Sequence, residues 1–151
     1  MLRISPFLWF NTQAEDAMNF YVSIFPRSKA ISVQRVGGKV LTVTFELEGQ
    51  QIMGLNGGPQ FTLNEAFSLF VSCETQAEVD ELWTKLLAGG GTPSRCGWLR
   101  DKFGVSWQIV PTVLGRMLGD QDRQRADRVM AAMLQMGKLD VARLQQAYDG
   151  R

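Results

Sequence analysis

The chain has 151 residues, 45% hydrophobic and 21% charged, enough for one domain with a substantial core. Sixteen basic residues nearly balance fifteen acidic ones, and a formal net charge of +1 gives no long-range field for a nucleic acid. There is no histidine, which removes histidine general bases, Ser-His-Asp and Cys-His nucleophile pairs and histidine metal ligands.

No run reaches the length of a membrane span, and Met1 to Pro6 lead into a strand without a secretory core. The expectation is a cytoplasmic protein, neither exported nor membrane-bound. Cys73 and Cys96 are too few for a disulfide framework and are expected as reduced thiols.

Phe7 to Phe10 reads as a first strand. A helix from Ala14 to about Ile24 follows, with Ala14, Ala17, Met18, Tyr21 and Phe25 at the spacing of one buried face. Thr12 stands three residues before Glu15, the pattern of a capping box. Pro26 stops the helix. Ile31 to Val36 is a loosely alternating strand, and Gly37-Gly38 is a hairpin turn. In Val40 to Glu48 the alternation is clear: Leu41, Val43, Phe45 and Leu47 take one face, Thr42, Thr44, Glu46 and Glu48 the other. Gln51 to Leu55 completes the unit, and Asn56-Gly57-Gly58-Pro59 reads as a structural turn rather than an anion-binding nest.

Phe67 to Cys73 opens a second unit. The signal Thr75-Gln76-Ala77-Glu78 repeats Thr12-Gln13-Ala14-Glu15, again at a helix start and again after an aromatic-rich strand. This helix, Ala77 to Ala88, buries Val79, Leu82, Trp83, Leu86 and Leu87 and ends at Gly89. A short strand at Thr92-Pro93 is followed by a hairpin of Cys96 to Arg100 and Val105 to Val110. The chain thus reads as a single α+β domain over 1–151, with a first βαβββ module at 5–56, a second at 67–111 and a helical tail at 112–151. In the tail, Ala126, Val129, Met130, Met133 and Leu134 share one helix face, Asp140 caps the last helix, and Arg123, Arg125 and Arg128 form a solvated face with neighbouring aspartates. The tail is expected to cover exposed sheet or to pack on a partner.

Several segments together carry a resemblance. They are Phe7-Leu8-Trp9-Phe10, Phe20-Tyr21, Leu55-Asn56-Gly57-Gly58-Pro59, Cys96-Gly97-Trp98-Leu99, Asp101-Lys102-Phe103-Gly104-Val105-Ser106-Trp107-Gln108 and Met133-Leu134-Gln135-Met136. On these the chain resembles the PhnB-like branch of the vicinal oxygen chelate superfamily, which includes glyoxalase I, bleomycin-resistance proteins and extradiol dioxygenases. The resemblance implies paired βαβββ modules curving around a cavity, and a homodimer. It places Pro6 or Leu8, Ser68, Gln108 and a residue near Leu55 or Asn56 at the positions where relatives hold a metal. None of these is a histidine or a carboxylate, so no metal and no other cofactor is expected.

The leading expectation is a protein that binds a small organic molecule in the cavity between the modules. Thr44, Trp98, Ser106 and Gln108 are the candidate ligand contacts. The second reading is a cofactor-free or divalent-metal-dependent enzyme using Glu46 as acid or base, or Cys96 as nucleophile with Arg95 or Arg100 lowering its pKa. The third is a purely structural dimer with a vestigial cavity. The 3-demethylubiquinone 3-methyltransferase of the family's label is a weak alternative, for which the order of strands and glycines offers no nucleotide-binding loop.

Overall fold

The computed structural model describes residues 1–151. Its first unit, Met1–Asn64, contains β1 (Phe7–Phe10), α1 (Ala14–Ile24), β2 (Ser28–Val36), β3 (Lys39–Leu47) and β4 (Gln50–Asn56). The second, Glu65–Arg151, repeats that order with β5 (Ser68–Cys73), α2 (Gln76–Leu87), β6 (Thr92–Pro93), β7 (Trp98–Arg100) and β8 (Ser106–Pro111). It then adds α3 (Thr112–Leu118), α4 (Arg123–Met133) and α5 (Val141–Asp149). The fold is α+β, built on βαβββ twice.

Each unit carries a four-stranded mixed sheet, ordered β1-β4-β3-β2 in the first and β5-β8-β7-β6 in the second. The first strand of each unit pairs parallel with the last, and the other pairings are antiparallel. β2 starts at Ser28 rather than Ile31 because its ladder with β3 extends to Ser28 opposite Leu47. Register shifts at Ala30/Ser32 and Gln34/Arg35 account for its loose alternation.

Alternation divides each sheet into a helix-covered face and an open one. In the first unit Leu8, Phe10, Val43, Phe45, Leu47 and Ile52 are buried with Ala14, Ala17, Met18, Tyr21 and Ile24 of α1. Each large apolar side chain so buried contributes about 1.5–3 kcal/mol. In the second unit Cys73, Leu99, Trp107 and Ile109 are buried with Val79 and Leu86 of α2. Glu48 departs from the expected strand. The strand ends at Leu47, and Glu48 enters the turn at φ 48°, where it pairs with Arg27 at 2.8 Å.

The two helix starts, alike in sequence, are capped differently. At α2 the Thr75 side chain accepts from the Glu78 N–H at 3.2 Å, and the Glu78 carboxylate accepts from the Glu74 N–H at 2.7 Å. At α1 the expected box at Thr12 does not form: Gln13 is the N-cap residue and has no side-chain cap. Asn56, at the end of β4, accepts from the Ala14 N–H at 2.8 Å and donates to the Val40 carbonyl at 3.2 Å. The glycine turn that follows is structural. A Cβ on Gly57 would lie 2.3 Å from the Trp9 ring, whose Nε1 donates to the Gly58 carbonyl at 3.0 Å and which meets the Phe61 ring nearly at right angles, 4.9 Å between centroids.

The tail covers the end of its own unit's sheet. Val110 of β8 packs in one cluster with Leu114, Met117, Val129, Met136, Leu139 and Leu144. The Met136 and Gly137 carbonyls accept from the Cys96 and Gly97 N–H groups, each at 2.8 Å. Gln76 of α2 donates to the Leu139 carbonyl at 3.0 Å and accepts from the Val141 N–H at 2.7 Å. Met130 and Leu134, expected inside, are 41% and 50% exposed; the buried face of α4 is carried by Ala126 and Val129, and Leu134 lies past the last helical residue, Met133. Arg128 is also not merely solvated: it donates to the Ala147 and Tyr148 carbonyls, each at 2.8 Å.

Asn56→Ala removes the only side-chain acceptor at the start of α1 and is expected to cost about 1 kcal/mol, whereas Thr12→Ala costs less than half of that. Urea midpoints of the two variants measure the difference. Equal losses would return the cap to Thr12.

Candidate functional site

The site is assembled on the open face of the second sheet, and the turn between β7 and β8 sets which residues reach it. Asp101 is a carboxylate buried to 3% exposure. It accepts from the Phe103 N–H at 2.8 Å, the Val105 N–H at 3.1 Å and the Trp107 Nε1–H at 2.8 Å. Charge-assisted bonds of this kind are worth about 1.5–3 kcal/mol each. They hold Trp107 on the helix-covered side, and alternation then puts Ser106 and Gln108 on the open side.

The register builds two rows across that side. Arg100, Ser106 and Ser68 stand opposite one another on β7, β8 and β5. One step along are Trp98, Gln108 and Phe70. A third row begins with Ser72 and Val110, and there the tail closes over Val110. Gln108 therefore lies between two aromatic neighbours, with Phe70 58% exposed. Its Nε2 donates to the Ser68 Oγ at 3.0 Å. The Ser106 hydroxyl, in a residue only 2% exposed, has no hydrogen-bond partner. An unmet buried hydroxyl costs about 1–3 kcal/mol, so its retention calls for a reason.

The sequence candidates thus fall into separate groups. Trp98, Ser106 and Gln108 are neighbours on one face of the second unit. Thr44 and Glu46 share the open face of the first unit, where Thr44 stands opposite Met53 and Ser32 and Glu46 opposite Gln51 and Lys29. Phe7, 52% exposed, and Trp9 complete that face. Cys96 precedes β7 at φ 59°, half-buried, with its N–H tied to the tail. Phe70 and Arg100 were not among the sequence candidates for ligand contact, although strand alternation from Ser68 and Trp98 points to both.

The donor set does not fit the metal of the resembled superfamily. No group of three histidine, cysteine, aspartate or glutamate side chains comes together. At two of the positions the resemblance assigns to ligands, Ser68 and Gln108 instead bond to each other. Neither strand-to-helix turn, Asn11-Thr12-Gln13 or Glu74-Thr75, contains the glycine that a dinucleotide-type loop requires.

Two mixed four-stranded sheets, each backed by a helix after its first strand, define the fold of the glyoxalase, bleomycin-resistance and dioxygenase proteins. Such a domain from Frankia is 15% identical, covers 74% of this chain and 92% of its own, and superposes with a TM-score of 0.50. A glyoxalase-related enzyme from Fulvimarina pelagi is 14% identical over 75% of this chain and 91% of its own, with a TM-score of 0.51. The PhnB protein of Bacillus cereus is nearer in sequence: 38% identical, 74% of this chain against 100% of that one, TM-score 0.68. The family model described as 3-demethylubiquinone-9 3-methyltransferase matches residues 2–110, and this chain belongs to that PhnB-like family. No curated protein matches it. The family match stops at β8, so α3, α4 and α5 lie outside it.

The two thiols differ in character. Burial, and then the Glu78 carboxylate, push the Cys73 thiol up from 9.0 to about 11. A folded-state pKa above the unfolded one means that the contribution to stability is complete below pH 9.0 and is lost as pH rises toward about 11. A thiol reagent at pH 8 is therefore expected to label Cys96 in the folded protein and to spare Cys73, with both labelled in denaturant. Equal labelling without denaturant would contradict the burial of Cys73.

Proposed function

We propose that this protein binds a small organic molecule, without a histidine-ligated metal, against the open face formed by β5, β8 and β7. The observation that carries the reading is the unpartnered, buried Ser106 hydroxyl beside the Ser68–Gln108 pair. Around it are the components of an ordinary small-molecule site: aromatic surface from Phe70 and Trp98 and a few directed polar groups. Gln108 still has its carbonyl oxygen to offer, and Ser106 can donate or accept. The setting is cytoplasmic, where Cys73 and Cys96 stay reduced.

A hydroxyl kept for a ligand separates stability from binding. Ser106→Ala is expected to leave unfolding free energy unchanged or to raise it by about 1 kcal/mol, since it removes an unmet polar group. The same change weakens capture of compounds found in a ligand-observed NMR screen of metabolites. Ser68→Ala, by contrast, leaves the Gln108 amide short of a partner and costs about 1 kcal/mol. If Ser106→Ala destabilises as Ser68→Ala does and leaves every compound's binding intact, the hydroxyl has a structural partner and the reading fails.

Assembly as a homodimer belongs to the same proposal. It is supported by the apolar side chain left on the first unit's open face, Phe7 at 52% exposure. Light scattering at micromolar concentration is expected to give the mass of two chains; one chain's mass removes the dimer and leaves the ligand reading in place.

A further inference from the structure

We infer that the ligand of this face is a carboxylate with a flat apolar body, and that Arg100 is the residue that selects it. The inference rests on the reading of the β5–β8–β7 face as a binding face and names the chemistry that face prefers. Arg100 is exposed, stands opposite Ser106 in the β7–β8 ladder and takes part in no ion pair. Side chains so paired have Cβ atoms about 4.5–5.5 Å apart, within reach of one shared anionic group.

No strand residue on this face is acidic: Ser68, Phe70, Ser72, Thr92, Trp98, Ser106, Gln108 and Val110 leave Arg100 as its one charge. The carboxylate next in sequence, Asp101, serves the other side, where it takes the Phe103 and Val105 amides and the Trp107 indole. Arg100 thus shares its row with Ser106, whose hydroxyl is unpartnered, and with a second serine, Ser68. A guanidinium with neutral hydroxyl donors is a carboxylate-binding set, because its planar fork matches two oxygens and the hydroxyls meet the remaining lone pairs.

The face also sets the length of the ligand. The row of Trp98, Gln108 and Phe70 lies two residues along the strands from the row of Arg100, Ser106 and Ser68, a distance of about 7 Å. Beyond it the tail is packed over Val110. A carboxylate held at the first row therefore lays a short aromatic or similarly flat body over the second and ends at the tail. Longer ligands meet Val110 and the helices.

Isothermal calorimetry on the full chain tests this with benzoate, phenylacetate and 3-phenylpropionate, each against its neutral amide. The acids are expected to bind about tenfold or more tightly than the amides, and to weaken with added salt as a partly exposed ion pair does. Arg100→Gln is expected to abolish that preference while keeping the unfolding midpoint, since Arg100 is exposed and unpaired. Equal affinity for acids and amides, or a preference that survives Arg100→Gln, overturns the carboxylate inference. The binding face itself still stands in that case if Ser106→Ala weakens both series. Absence of binding by both series overturns the inference and the face together.

Discussion

The second unit depends on one buried carboxylate. Asp101 closes the β7–β8 turn on two amides and holds the Trp107 indole through its other oxygen. A strand has only two faces, so fixing Trp107 against α2 fixes Ser106 and Gln108 away from it. A slip of one residue would bury the amide of Gln108 under the helix and expose Trp107. The same turn sets Arg100 opposite Ser106, so the polar row inherits its register from a residue that faces the other way. The first unit has no such carboxylate. There Asn56 does comparable work by joining the end of β4 to the start of α1 and to β3.

Much of the architecture is legible in the chain because it is local or periodic. The alternation of Val43, Phe45 and Leu47 gives β3 directly, and the 3.6-residue spacing of Ala14, Ala17, Met18 and Tyr21 gives α1. The cap at Thr75 is also local, three residues from its amide. Thr12 has the same spacing yet caps nothing, because Gln13 takes the N-cap position and a side chain from β4 serves the helix start in its place, at the Ala14 amide. That competition depends on tertiary position and has no trace in four letters of sequence. The exposure of Met130 and Leu134 is of the same kind: their spacing is right for a buried face, but the helix buries Ala126 and Val129, and the chain beyond Met133 goes on to lay Met136 and Gly137 against Cys96 and Gly97.

The candidate site was partly legible for the same reasons. Ser106 and Gln108 share a face by simple alternation, and so do Thr44 and Glu46. The partner of Gln108 is on β5, and only the parallel register of β5 with β8 brings Ser68 to it. The isolation of the Ser106 hydroxyl is a property of what surrounds it on all sides, which no pattern encodes. Alternation from Trp98 puts Arg100 on the same face, but only the ladder of β7 with β8 sets it opposite Ser106.

The bonds from Cys96 and Gly97 to Met136 and Gly137 also bear on the order in which the protein matures during synthesis. The ladders of the first unit close among residues that precede Glu65, so that unit can fold while the rest is still being translated. The entry to β7 has no such independence. Its amides stay open to water, or to a chaperone, until residues 136 and 137 have left the ribosome, and Leu139 and Leu144 reach their places later still. The second unit is thus finished by a segment outside the family match, and a stalled or shortened chain would leave these amides open first.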